Sequence, residues 1–266
     1  MLQISNLYIY PIKSLGGIEV QNVKLTDRGL EHDRRWMLVD ERNQFLTQRN
    51  FPEMALLKTA FKENKLIIFE RNNEEDALAL DLDPVNGKKV QVDVWDDHCE
   101  AQQVSTTADV WFSDKLRRNV KLVYMPDSSR RKVDEKYALQ KDITSFSDGY
   151  PVLLIGQSSL DDLNSRLDQP VPMNRFRPNI VFTGGAPYQE DEMQHFKIND
   201  LDFYGVKPCG RCVMTTINQD TGSVGKEPLR TLSMYRTANN KVNFGQNILH
   251  TGLGRINVGD EIRLLK

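Results

Sequence analysis

Short strand-like runs recur along almost the whole chain, and a sheet that closes or curves strongly on itself is the arrangement that satisfies the edges of so many short strands. Residues 4–10, 18–25, 65–69, 78–82, 88–94 and 120–124 read as strands in the first half, and residues 179–182, 196–198, 201–206, 212–217 and 261–265 in the second. Gly and Asn turns separate many of them. Helical patterning is sparse: residues 107–116 have an apolar face with Thr107 or Asp109 as cap, and Leu160, Leu163 and Leu167 repeat at helical spacing after a cap at Ser158 or Ser159. The fold class read from this pattern is mixed and mainly β, with a few short helices. The polar stretch 127–136 reads as an exposed loop or junction, which divides the chain into units 1–125 and 126–266.

A formal charge of -2 gives no global electrostatic case for nucleic acid, and Arg117-Arg118 and Arg130-Arg131-Lys132 read as solvent-facing charge runs. No apolar run approaches the length of a membrane span. Met1-Leu2-Gln3-Ile4-Ser5-Asn6 lacks the basic and apolar segments of a secretion signal, so cytoplasm is the expected location. No Gly-rich dinucleotide or Walker loop is present. Trp36, Trp95 and Trp111 read as core or interface residues, Phe244 as core, and Glu190-Asp191-Glu192 as a solvated acidic turn.

The chemistry concentrates late in the chain, where two of the three cysteines form Cys209-Gly210-Arg211-Cys212. A redox dithiol, half of a zinc or iron-sulfur site completed by His98 and Cys99, a single reactive or metal-binding thiolate, and buried packing residues all remain open for such a pair. Against the dithiol, residues 213–217 look like a strand, so the strand feeding a helix that such a motif expects is missing. For the single thiolate, Lys207 and Arg211 offer cations beside a soft sulfur, and Gly210 permits close backbone approach.

Four ordered motifs add specificity: Pro11-Ile12-Lys13-Ser14-Leu15, Asp33-Arg34-Arg35-Trp36, Asn174-Arg175-Phe176-Arg177-Pro178-Asn179-Ile180, and Lys207-Pro208-Cys209-Gly210-Arg211-Cys212-Val213-Met214-Thr215-Thr216. With them the chain resembles the MOSC-domain family along nearly its whole length, and within it the mitochondrial amidoxime-reducing component and bacterial hydroxylaminopurine-detoxifying relatives. The resemblance implies a MOSC β-barrel domain packed intimately against an N-terminal β-rich domain, with molybdenum cofactor (Mo-molybdopterin) held between them. By the same resemblance Cys212 matches the molybdenum ligand. Lys13, Ser14, Arg34, Arg177 and Asn179 match cofactor contacts, with Asp148 and Gly149 on another contacting loop and Arg211 beside the ligand. Lysine and arginine suit phosphate oxygens, while serine and asparagine supply oriented hydrogen bonds.

The implied reaction is reduction of a small N-hydroxylated substrate such as an amidoxime, a hydroxylamine or an N-hydroxylated base, a detoxifying oxidoreductase chemistry. No flavin, nicotinamide or haem motif is recognisable, and the ferredoxin-like cysteines of some bacterial relatives do not appear before Lys266. The expected electron donor is therefore a separate ferredoxin, flavoprotein or reductase. The rival reading is a sulfur or molybdenum-cofactor carrier working through a Cys212 persulfide.

Overall fold

The computed structural model describes residues 1–85 and 87–265. Its centre is a closed barrel of seven strands. Going round, Val152–Gly156 pairs in parallel with Ile180–Thr183, followed by Leu2–Ile9, Glu261–Leu264, His195–Ile198, Leu201–Arg211 and Lys241–Thr251, which pairs back onto Val152–Gly156. Every other pairing in the ring is antiparallel. The first strand belongs to this barrel, so a division at residue 125 separates the chain in sequence while the barrel takes one stave from before it.

Alternation explains most of the barrel interior, and one irregularity explains the rest. Leu2 and Ile4 point into the core, but the next inward residues are Leu7 and Ile9, one position out of phase. A register shift between Ile4 and Asn6 accounts for this, because a bulge inserts one extra residue and moves the side chains beyond it to the other face. Phe182, Phe196, Phe203 and Ile248 complete the interior.

The N-terminal half adds a four-stranded antiparallel sheet, in the order Trp36–Val39, Lys121–Tyr124, Asp97–Gln103 and Lys89–Val94, and a three-stranded sheet of Leu57–Lys62, Lys65–Glu70 and Asn73–Asp81. Among the described residues there are three short α-helices: Thr106–Leu116, Gln157–Asn164 and Leu229–Tyr235. Ser105, rather than Thr107 or Asp109, caps the first of them by accepting from the Ala108 amide at 3.1 Å. Asp109 instead accepts from the Leu122 amide and ties the helix to its neighbouring strand.

Three further expectations are corrected. Residues 212–217 are not a strand: the strand Leu201–Arg211 ends one residue before Cys212, and Val213–Thr216 turns as a 3-10 helix. The Thr215 and Thr216 hydroxyls donate to the carbonyls of Cys212 and Val213, a local bonding pattern that overrides the β-preference of the sequence. The stretch 127–136 is not simply exposed, since Arg131 is buried and donates to the carbonyls of Ser145 and Ser147.

The acidic turn is not solvated either. Glu190 is fully buried, accepts from the Ser159 hydroxyl at 2.8 Å, and leaves Oε1 without a partner. Burial raises its carboxyl from 4.5 to about 6. A folded-state value above the unfolded one means that the fold favours the protonated form. That contribution is complete below pH 4.5 and is lost as pH rises through about 6. Stability is expected to fall by up to about 2 kcal/mol across this window from Glu190 alone. Urea unfolding at pH 4.5 and pH 7 checks this against Glu190→Gln, in which that part of the fall disappears; an unchanged pH slope would contradict the assignment.

Candidate functional site

The long strand Leu201–Arg211 carries two register shifts against Lys241–Thr251, one between Gly205 and Lys207 and one between Pro208 and Gly210. Bulges bend a strand and re-aim its end. Pro208, which has no amide hydrogen to give the ladder, sits at the second of them. A Cβ at Gly205 would come 2.2 Å from the Met193 carbonyl, so this bend requires glycine. The consequence is that Cys209, Arg211 and Cys212 leave the regular barrel wall at the edge of a cavity of about 440 Å³.

All nine site residues expected from sequence, Lys13, Ser14, Arg34, Asp148, Gly149, Arg177, Asn179, Arg211 and Cys212, line this one cavity. Ser14, Arg34 and Arg177 hold left-handed backbone at φ 67°, 49° and 54°. Such conformations are uncommon outside glycine, and their convergence on one cavity places strain where side chains must be aimed. Six cations line the wall, Lys13, Arg34, Arg49, Arg175, Arg177 and Arg211, against the single carboxylate of Asp148.

Their partners differ. Lys13 is buried and donates to the Phe146 carbonyl at 2.7 Å and to Asp148 at 2.6 Å. Burial pulls its ammonium down to about 8, with Asp148 opposing part of that effect. Arg34 donates to Asp33 at 2.6 Å and to Asn179 at 3.0 Å. The guanidinium groups of Arg34 and Arg177 both lie on the Tyr10 ring, at 4.5 and 4.2 Å. Arg177 forms no ion pair among the described residues, and burial lowers it to about 10.

Asn179 is engaged by the protein itself. Its oxygen accepts from Arg34 and the Leu153 amide, and its nitrogen donates to the Tyr8 carbonyl and to Asp33. Its geometry therefore aims Arg34. Arg211 likewise donates to the carbonyls of Phe244 at 2.7 Å and Phe176 at 2.9 Å, while its Nη2 is buried without an acceptor. Lys207 does not serve a thiol: its ammonium lies 4.4 Å from the centre of the Tyr137 ring.

The cation beside the sulfur is Arg49. Its Nε lies 3.2 Å from Cys212 Sγ, and its Nη2 lies 3.2 Å from the second oxygen of Asp148, whose first oxygen holds Lys13. Enclosure alone would raise Asp148, but Lys13 and Arg49 outweigh it and hold the carboxyl well below the usual carboxylate range. Cys209, by contrast, packs partly against the cluster containing Phe176 and Phe244, and burial pushes its thiol up despite Arg211. The two cysteines thus occupy different environments.

Sequence reasoning missed Arg49. Arg49 sits in a short polar run, Thr47-Gln48-Arg49-Asn50, with no motif of its own. Gln48 in that run is fully buried and pairs reciprocally with Gln219, which fixes the run against the segment following Cys212. Trp95 is not a core residue: it is 45% exposed, stacks on Arg49 at 4.4 Å and donates to Asp148 at 3.3 Å. Trp36 is fully buried, as read from sequence, and Phe244 stacks on Phe176 in the core.

Sequence comparison decides the family. Profiles of the MOSC N-terminal beta barrel domain and of the MOSC domain match residues 1–119 and 141–263. Mitochondrial amidoxime-reducing component 1 of Mus musculus is 32% identical over an alignment taking in 98% of this chain and 82% of that protein. The chain belongs to the MOSC-domain family. Among other MOSC relatives, mitochondrial amidoxime-reducing component 1 of Homo sapiens is 30% identical over 98% of this chain and 82% of its own length. Molybdenum cofactor sulfurase of Oryza sativa subsp. japonica is 33% identical over 92% of this chain, which spans only 32% of that protein.

These MOSC relatives correct the cytoplasmic expectation, because those similar over nearly the whole chain are named mitochondrial. The physical reason is visible at the start of the chain, where residues 2–9 form a barrel stave; their composition reports a strand and carries no information on compartment. Among the described residues no helix is long and apolar enough to cross a membrane.

Proposed function

We propose that this protein reduces N-hydroxylated compounds, namely amidoximes, hydroxylamines or N-hydroxylated bases, using a molybdenum cofactor held in the cavity and electrons from a separate ferredoxin, flavoprotein or reductase. The observation that carries the reading is the meeting of the Cys212 thiol, held by Arg49, with a wall of six cations and one carboxylate. Similarity to proteins named amidoxime-reducing component supports the same substrate class.

The residues fit a pterin that ends in phosphate and carries a soft metal. Among the described residues Nη2 of Arg211 is buried without an acceptor and Arg177 forms no ion pair, as donors awaiting an anionic ligand do. A Cβ at Gly149 would meet nothing within 4 Å, so the facing loop leaves open space. A cysteine sulfur suits a heavy transition metal. Lys13, Ser14, Arg34, Arg177 and Arg211 would hold the pterin and its phosphate, with Asp148 and Gly149 on the loop that faces it and Cys212 as the metal ligand.

When bound, the cofactor supplies the two-electron reduction of the N–O bond. The chain's part is positional and electrostatic. Arg49 fixes the Cys212 sulfur, Asp148 spaces Lys13 and Arg49 by holding one on each oxygen, and Asn179 keeps Arg34 aimed. Protein loaded with cofactor and supplied with an artificial electron donor is expected to turn over a small panel of N-hydroxylated compounds to their reduced amidines or amines. No turnover of any of them by a metal-replete preparation sinks the proposal.

A second reading, a sulfur or molybdenum-cofactor carrier using a Cys212 persulfide, is favoured by the match to molybdenum cofactor sulfurase across most of the chain. Mass spectrometry separates the two: a persulfide on Cys212 in protein without molybdenum favours the carrier.

A further inference from the structure

A second space of about 470 Å³ adjoins the cavity and shares Thr47, Arg49 and Trp95 with it. Arg49 links the two directly, touching the Cys212 sulfur through Nε and lying face-on to the Trp95 ring. Those contacts put the indole within about 9 Å of the sulfur. Arg49 occupies the line between them, so a compound that reaches from one space into the other passes beside its guanidinium.

Trp95 lies outside the buried hydrophobic clusters. It stands at the turn between Lys89–Val94 and Asp97–Gln103 with φ 58°, a conformation that costs a side-chain-bearing residue about 1–2 kcal/mol, and its large ring remains half exposed. What this conformation achieves is placement, with the ring edge-on to Phe45 at 4.9 Å and the indole nitrogen on Asp148. The same groove presents Phe51 with the Arg118 guanidinium 3.7 Å above its ring. Arg118 forms no ion pair among the described residues, so its position beside Phe51 is not that of a residue serving a carboxylate. Planar guanidinium and ring surfaces reward a further flat π system and give an alkyl group much less.

We propose that this groove binds the planar, π-rich body of the substrate while its N–O end enters the cavity, so that Phe51 and Arg118 set a preference for aromatic over aliphatic N-hydroxylated compounds. The identity of the reacting end rests on the reductase reading above; the ring preference does not.

The test compares benzamidoxime with acetamidoxime, which differ by a ring against a methyl group. Both are measured as substrates of the cofactor-loaded enzyme and, by ligand-observed NMR titration, as ligands of the cofactor-free protein. The parent is expected to favour the aromatic compound about tenfold in kcat/KM and in Kd. Phe51→Leu and Arg118→Gln each remove most of that margin through KM for benzamidoxime, with kcat retained and the acetamidoxime constants held within about twofold. Arg118 is exposed, so its substitution leaves the fold in place should Phe51→Leu perturb it. Full preference in both variants, or an equal loss of kcat for both compounds, overturns the proposal. Should the loaded enzyme reduce neither these two nor any other compound of the panel, the reductase reading falls and the cofactor-free titration decides the groove: a ring preference lost in the variants upholds it, and equal binding of the two compounds overturns it.

Discussion

Replacing Cys212 with serine is expected to remove molybdenum and turnover together, to below about 1% of the parent, whereas Cys209→Ser keeps most of both. The asymmetry follows from where the strand ends. Cys212 lies just past the last ladder residue, with Arg49 on its sulfur. Cys209 lies within the strand, against aromatic core, with its thiol pushed up by burial. Serine at 212 keeps the size and the hydrogen bond to Arg49 but gives up the soft sulfur, so a surviving fold with no metal isolates the ligand role from packing. Circular dichroism and metal content of the two variants check this. Equal losses at both positions would point instead to a dithiol or to a metal shared by the pair.

Arg177→Gln is expected to weaken cofactor retention by about 10- to 100-fold while changing the stability of the cofactor-free fold by no more than about 1 kcal/mol. This guanidinium is buried and rests on the Tyr10 ring with no ion-pair partner among the described residues, on backbone held at φ 54°. Its removal therefore sacrifices little in folding and much in binding. An ordinary structural arginine behaves the other way, losing stability and binding together. The retained grip should also depend on pH. Lys13 loses its charge as pH rises through about 8 whereas Arg177 keeps its own until about 10, so affinity for the phosphate end declines first above pH 8. Cofactor release followed by fluorescence at pH 7 and pH 9 measures that decline, and Lys13→Met should abolish the difference between the two.

The barrel was legible because alternation and turn residues are local signals, and the motif residues were legible because they sit in ordered groups. What local patterning could not convey was geometry made by distant pairing. Arg49 reaches Cys212 across 163 positions of sequence, through a polar run whose burial depends on Gln219 in another segment. Trp95 reads as core or interface from its chemistry, and backbone at a hairpin turn holds it in a cavity wall. Residues 212–217 read as strand from their β-branched members, yet threonine hydroxyls close 213–216 into a turn. Glu190 reads as surface because acidic neighbours flank it, and only the packing of Ser159 and the surrounding barrel reveals it as buried. Asn179 lines the cavity, and its protein partners make it an aiming residue for Arg34.

Elemental analysis of protein purified from cells that synthesise molybdopterin is the most direct measurement. A cavity that combines six cations with one positioned sulfur predicts about one molybdenum per chain, lost on Cys212 replacement. A cofactor-reconstituted preparation containing none, or containing it equally without that sulfur, would contradict the account.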